Sequence, residues 1–405
     1  MANKFAGRVF AVALFVSFAA FRPASAADPG SVGISAERLA RMHQVMRHHV
    51  EQGDISGAVT LVARNGKVVD LREFGEQDRE SRTPMHTNTL FRIASMTKPI
   101  TTAAVLILYE EGRLLLTDPV SKFIPEFRDM KVLRLESNGA ASSVPAEREI
   151  TIRDLLTHRS GITYAFLDEG PVGDGYRTAG VTDGLAVVDG TMADNVVRLA
   201  AQPLLSQPGK EWHYGLSIDV LGRVVEVASG MSLDAFLAER IFDPLGMKDT
   251  HFAIPEEKWL RLAMVYTDDG NGGIRAMADP EQFGNLIMSP IAYYREPKQY
   301  FSGGAGIVST ATDYWRFLQM LLNGGKFNGA RLLSPKAVEL MTVSHTRDLP
   351  PGTVGDGEDF GLGVGIITDL GATQALGSVG TYSWGGIYGT SFWVDPKERL
   401  IGILL

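Results

Sequence analysis

The sequence contains no cysteine in 405 residues, which excludes disulfide frameworks, cysteine nucleophiles, iron–sulfur clusters and thiolate zinc sites together. Covalent catalysis, if there is any, must run through another side chain. Surplus positive charge is lacking too: 39 Lys+Arg against 47 Asp+Glu leave a formal net charge of -8, which argues against nucleic acid or an anionic membrane surface as a partner. No apolar run is long enough to cross a bilayer. The longest near the start, residues 10–21, spans roughly 18 Å as a helix against a hydrocarbon core of about 30 Å.

That run reads as processing information. Lys4 and Arg8 precede it and Ala24-Ser25-Ala26 offers a small-x-small cleavage pattern after it, the layout of a secretory signal. The expectation is an exported, periplasmic or extracellular protein, with residues 1–26 removed and no stable membrane anchor left. The full sequence is 45% apolar and 21% charged, inside the ordinary globular range.

Periodicity suggests an α/β chain. A helical stretch covers about 35–52, and two β-type runs flank Asn65-Gly66, a strong hairpin signal. Two more β runs, 390–394 and 400–404, flank Asp395-Pro396-Lys397-Glu398. Helical patterns lie between, for example 216–228 ending at Ser229-Gly230 and 311–322 ending at Asn323-Gly324-Gly325. Strands from both chain ends then make one antiparallel sheet flanked by helices, around an inserted helical region. Three stretches read as loops: 136–149, 168–190 and 346–359. Asp268-Asp269-Gly270-Asn271 lacks the spaced ligands of a calcium loop and reads as a solvated turn.

The eight His are scattered without a His-Glu-x-x-His, and the adjacent pair His48-His49 diverges by about 100° on a helix, so no metal site is expected. No serine sits in a Gly-x-Ser-x-Gly elbow. What remains is Phe91-Arg-Ile-Ala-Ser95-Met-Thr-Lys98-Pro-Ile, running into an apolar helix that stops at Gly112. Three residues apart in a first helical turn, the Ser95 hydroxyl and Lys98 amine share one face. Helix N-terminal amides there favour negative charge developing at a reacting carbonyl. Taken alone, Ser-x-x-Lys fits an N-cap serine and a solvated lysine as well as it fits a nucleophile and base.

Residues 91–101 resemble the nucleophile segment of the serine β-lactamase and penicillin-binding enzyme superfamily, in its class C-like branch, which includes family VIII carboxylesterases. The segments beginning Leu155-Leu-Thr-His, Pro208-Gly-Lys-Glu-Trp-His-Tyr214, Pro244-Leu-Gly-Met247 and Gly303-Gly-Ala-Gly resemble that branch in the same order. The resemblance implies a β-lactamase/transpeptidase-like fold, with 27–114 and 300–405 forming an α/β subdomain and 115–299 a mainly helical one. It implies Ser95 as nucleophile, with Lys98 and Tyr214 as its proton-handling partners, either of which can be the base. No cofactor is implied.

Two departures carry information. Leu216 stands where the lactamase second motif has Asn, and Trp384-Gly385-Gly386 stands where the third has Lys-Thr-Gly. Losing both polar anchors weakens recognition of a charged β-lactam. The esterase branch is similar here, which implies an oxyanion hole from the backbone N–H groups of Ser95 and Ile387, and a substrate pocket walled by Trp384, Gly385, Gly386 and Leu216. The expectation is an esterase for small-molecule esters with short-chain or aromatic acyl groups. The rivals are a β-lactamase, D-amino-acid peptidase or acyltransferase of the same family, and a catalytically silent cell-wall binding protein. Members of this family normally end in a helix after the last strand; the chain stops at Leu405, so a truncated sequence or an exposed apolar sheet face with reduced stability is expected.

Overall fold

The computed structural model describes residues 27–137, 140–295 and 298–405; the signal-like segment 1–26 lies outside them. Helix α1 (Ala36–Gln52) starts where the Ser35 side chain accepts the Arg38 N–H and stops at Gly53 with φ 79°. Strands β1 (Gly57–Arg64) and β2 (Lys67–Asp78) follow. Asn65 and Gly66 between them have φ 53° and 78°, the left-handed pair that a two-residue turn needs to match strand twist.

A short β3 (Thr83–Pro84) completes the early strands, and β4 (Glu358–Phe360), β5 (Gly365–Ile367), β6 (Tyr382–Gly386), β7 (Thr390–Asp395) and β8 (Leu400–Leu404) come from the far end of the chain. Their order in the single eight-stranded sheet is β4-β5-β6-β7-β8-β1-β2-β3, each neighbour antiparallel to the next. The join between the two ends is β1 on β8, from Thr60 opposite Leu404 to Arg64 opposite Leu400.

Helix α2 (Thr97–Glu110) is buried continuously from Thr97 to Leu108, the pattern of a central core helix. It packs on α3 (Ser217–Ser229), while α4 (Ala311–Leu322) lies on β8 and β1. Val59 and Leu61 of β1, Ile401 and Ile403 of β8, and most of α2 belong to one continuous apolar cluster. The fold is therefore mixed α/β, with a large antiparallel sheet flanked by helices.

Two of the expected loops contain regular structure within them, and the third, 346–359, ends two residues inside β4. Within 136–149, residues Ala141–Pro145 form a strand paired with Lys131–Leu135. Within 168–190, a helix runs over Pro171–Thr178, its proline at the start where no N–H is required. The acidic turn 268–271 joins two short strands, and Asp269 accepts backbone N–H groups of Asn271 and Gly273.

Candidate active site

The site grows from the turn before α2. Ser95 lies in a 3-10 turn, Ala94–Met96, that leads straight into the helix, and Ala94 sits at φ 40°. A non-glycine residue there is strained, and surrounding structure must hold it. Residues 91–92 pair with 308–309, the Ile93 N–H donates to the Ile307 carbonyl at 3.1 Å, and the Tyr314 hydroxyl of α4 donates to the Met96 carbonyl at 2.8 Å.

Lys98, three residues on, is fully buried. Its Nζ donates to Ser95 Oγ, to Tyr164 OH and to the Gly304 carbonyl, each at 3.0 Å. Three donors thus meet three acceptors, which is what a buried ammonium requires. The half-buried Ser95 hydroxyl lies on the open side of this cluster.

Tyr214 arrives on a segment that runs beside 158–163: the His213 N–H donates to the His158 carbonyl at 2.8 Å. Gly215 is needed at the crossing, because a Cβ there would lie 2.4 Å from Thr163 Cα. The Lys98 ammonium stands 4.5 Å from the Tyr214 ring centroid, and Trp384 Nε1 donates to the Tyr214 oxygen at 3.2 Å. With that lone pair taken, the tyrosine O–H is left to donate elsewhere. Beneath it, the buried His158 ring lies 4.8 Å from the Tyr214 ring. Burial first, and then the Lys98 charge, push its pKa well below 6.5, so the imidazole is neutral.

Sequence reasoning missed four groups. Tyr164 lies nine residues past Leu155, where a recognised segment begins; burial, then Tyr214 and Asp219, push its phenol well above 10, so it stays protonated. The Gly304 acceptor is a backbone carbonyl, which no side-chain motif marks. Behind them lie two buried carboxyls. Asp219 accepts from Ser302 Oγ at 2.5 Å and is raised by burial. Asp183 accepts from the Ala165 N–H at 2.8 Å and is pushed up to about 7, mainly by burial.

A cavity of about 360 Å³ opens over Ser95. Trp384, Tyr214, Tyr164 and Phe166 touch in turn as an aromatic wall, and Leu167, Leu185, Ala305, Ile387 and Gly385 complete the lining. The hydroxyls come from Ser95, Tyr164 and Tyr214, and no lining residue is charged. Ile387 is the first residue past β6, and among the described residues its backbone N–H has no hydrogen-bond partner.

Two residues expected on the pocket lie elsewhere. Leu216 is fully buried in the main core, because it leads into α3 facing inward. Gly386 does not line the cavity; a Cβ there would lie 2.4 Å from the Ile93 carbonyl oxygen, so the missing side chain admits the nucleophile turn and not a substrate. Trp384, Gly385 and Ile387 do line the cavity with Ser95 and Tyr214.

Known proteins resemble this chain over most of its length. The family model described as Beta-lactamase matches residues 42–405. The chain is 35% identical over 389 residues to esterase EstB of Burkholderia gladioli, covering 94% of each. It is 30% identical over 314 residues to the acyltransferase mokF of Monascus pilosus, covering 76% of this chain and 71% of that one. Among solved structures, EstCE1, a hydrolase with promiscuous acyltransferase activity, superposes with a TM-score of 0.78 at 31% identity, covering 91% of this chain and 92% of its own.

Proposed function

Since this chain belongs to the β-lactamase family and is a serine hydrolase of the esterase type, we propose that it cleaves uncharged esters of short-chain or aromatic acids through an acyl-enzyme on Ser95. The observation that carries this reading is the 3.0 Å contact of Lys98 Nζ with Ser95 Oγ beneath a cavity whose lining holds no charge.

In its unprotonated form Lys98 takes the Ser95 proton as Oγ bonds to the substrate carbonyl carbon. The carbonyl oxygen becomes an oxyanion, received by the N–H groups of Ser95 and Ile387. On collapse the ester C–O bond breaks, and the leaving alkoxide takes a proton handed on from Lys98 through the Tyr214 hydroxyl. Water then attacks the acyl-enzyme, losing its proton to the same base, and the acid leaves as Ser95 is restored. Support for the Tyr214 role is its place beside Lys98 and the Trp384 donor that turns its O–H away from the indole.

Trp384 in place of a cation and the burial of Leu216 in place of an amide favour a neutral ester over a charged β-lactam. Transfer of the acyl group to an alcohol is the second reading, favoured by the likeness to EstCE1 and to the mokF acyltransferase. Site of action belongs to the same proposal: an exported enzyme, on the strength of residues 1–26, to be checked by cell fractionation.

Labelling with a fluorophosphonate probe tests the nucleophile. Wild-type protein should be labelled and Ser95→Ala should not; the reverse result removes the mechanism. Turnover of p-nitrophenyl butyrate should exceed that of a chromogenic cephalosporin, and added methanol should show whether methyl butyrate forms in place of the acid.

A further inference from the structure

His158 is held in place at a double cost. Its backbone sits at φ 55°, in the left-handed region that a residue with a Cβ enters only where the surrounding structure fixes it. Its imidazole is fully buried, yet neither ring nitrogen has a hydrogen-bond partner among the described residues. Buried polar groups are nearly always paired, because the water they give up must be replaced. An apolar side chain would fill the same space without this second cost. Backbone strain and an unpaired polar group at one residue point to a function that keeps them there.

What the imidazole touches is Tyr214. Their ring centroids lie 4.8 Å apart, and Phe360 at 5.3 Å and Trp212 at 6.0 Å meet the imidazole in T-shaped contacts. Trp212 stacks on Tyr214 in turn, at 6.0 Å and 22°, and Phe360 meets Trp384 at 5.1 Å. A hydroxyl at the end of a rigid ring goes where contacts on the ring put it. Among the described residues the Tyr214 oxygen has one side-chain hydrogen bond, from Trp384 Nε1; the ring can still pivot about that bond, and close packing on its sides removes this freedom. The backbone is tied at the same place, since the His158 carbonyl accepts the His213 N–H at 2.8 Å. The strained turn and the Tyr214 segment are thus fixed to each other.

We infer that His158 is a positioning residue for the proton relay: its imidazole holds the Tyr214 ring at the tilt that lets the hydroxyl pass a proton from Lys98 to the leaving-group oxygen. The inference rests on the relay reading of Tyr214 given above. His158 does not line the catalytic cavity, so it acts through Tyr214 and not on the substrate. Burial and the Lys98 charge keep the imidazole uncharged, so it fixes the ring without placing a second cation beside the lysine.

The test separates leaving groups. p-Nitrophenolate departs without a proton, whereas the methoxide of methyl butyrate must take one as it leaves. His158→Asn removes the ring and keeps a residue that accepts the left-handed backbone. It should lower kcat/KM for methyl butyrate, followed in a pH-stat, about 10²-fold, the cost of roughly 1 Å of misplacement. For p-nitrophenyl butyrate the loss should be less than about threefold, because that leaving group needs no general acid. Rates are taken per serine labelled by the fluorophosphonate, so misfolded protein, which lowers both esters alike, drops out of the comparison. Tyr214→Phe is the reference and should show a selective loss at least as large.

Equal losses on the two esters from His158→Asn, beside a selective loss from Tyr214→Phe, overturn the positioning role. So does a His158→Asn enzyme that keeps wild-type kcat/KM on methyl butyrate. Equal losses from Tyr214→Phe sink the relay itself, and the inference with it. If His158→Asn yields no labelled protein, His158→Gln replaces it with the same expected ratio.

Discussion

Adding one methyl group to Gly386 should cost far more activity than stability. A Cβ at that position would lie 2.4 Å from the Ile93 carbonyl oxygen and 2.5 Å from Thr390 Oγ1, against ordinary contacts that begin at 3.4 Å. About 1 Å of movement must therefore be found between the end of β6 and the nucleophile turn. Those two pieces of backbone carry the N–H groups of Ile387 and Ser95 that form the proposed oxyanion hole. Misplacing catalytic geometry by 1 Å costs on the order of 10²-fold in rate, and losing one oxyanion donor costs about 10²–10³-fold.

Gly386→Ala should accordingly lower kcat for p-nitrophenyl butyrate by at least 10²-fold with KM within about threefold, since the donors act mainly on the transition state. The accompanying loss of stability should be about 1–3 kcal/mol, the usual range for overpacking. Gly385→Ala is the internal comparison, because its Cβ would meet only the Thr390 carbonyl at 3.2 Å and points to the strand face opposite that of Gly386; it should lower kcat far less than Gly386→Ala does. A folded Gly386→Ala enzyme that keeps kcat within threefold of wild type would refute the argument, since the turn and strand would then be closing the site from some other contact.

Two further outcomes follow from buried groups. Asp183 is held up to about 7 in the fold against 3.8 for a free carboxyl. The protonated form is thus favoured by folding, and its stabilising effect is full below about pH 4 and lost as pH rises to about 7. Asp183→Asn should match wild type in urea unfolding at pH 4 and exceed it at pH 8 by up to about 4 kcal/mol, an upper bound from that shift; a difference independent of pH would rule this out. Tyr314→Phe removes the fully buried hydroxyl that donates to the Met96 carbonyl and should cost about 1–3 kcal/mol in the same assay. An unchanged unfolding midpoint would mean that this bond does not hold the nucleophile turn.

The parts of this molecule that could be read from its sequence are those specified by local chemistry. Asn65-Gly66 specifies a hairpin because few residues tolerate two left-handed positions, and the structure places its turn there. Ser35 and Gly53 bracket α1 for equally local reasons. Ser95 and Lys98 are close in space because they are close in sequence. Tyr164 and the Gly304 carbonyl reach the same amine from 66 and 206 residues away, through crossings of loops that have no period to read. The helix at Pro171–Thr178 was hidden by its two glycines and its aspartate, which locally favour turns and are overruled by burial of Val172 and Tyr176. Leu216 was misplaced for a different reason: a motif position fixes order along the chain, whereas helix phase fixes which way the side chain faces.

The sheet that joins both ends of the chain also sets a schedule. Ser95 and its neighbours leave the ribosome early, but Ile387 and the strands that hold it, β6 to β8, follow almost three hundred residues later. Until β8 pairs with β1 the two ends of the sheet are not joined and the proposed second oxyanion donor is not held beside Ser95. Such distant pairings form slowly, and domains of this size fold through intermediates. On the catalytic mechanism proposed above, a nascent or half-folded chain carries Ser95 without the means to use it, and hydrolytic power arrives only with β6 to β8.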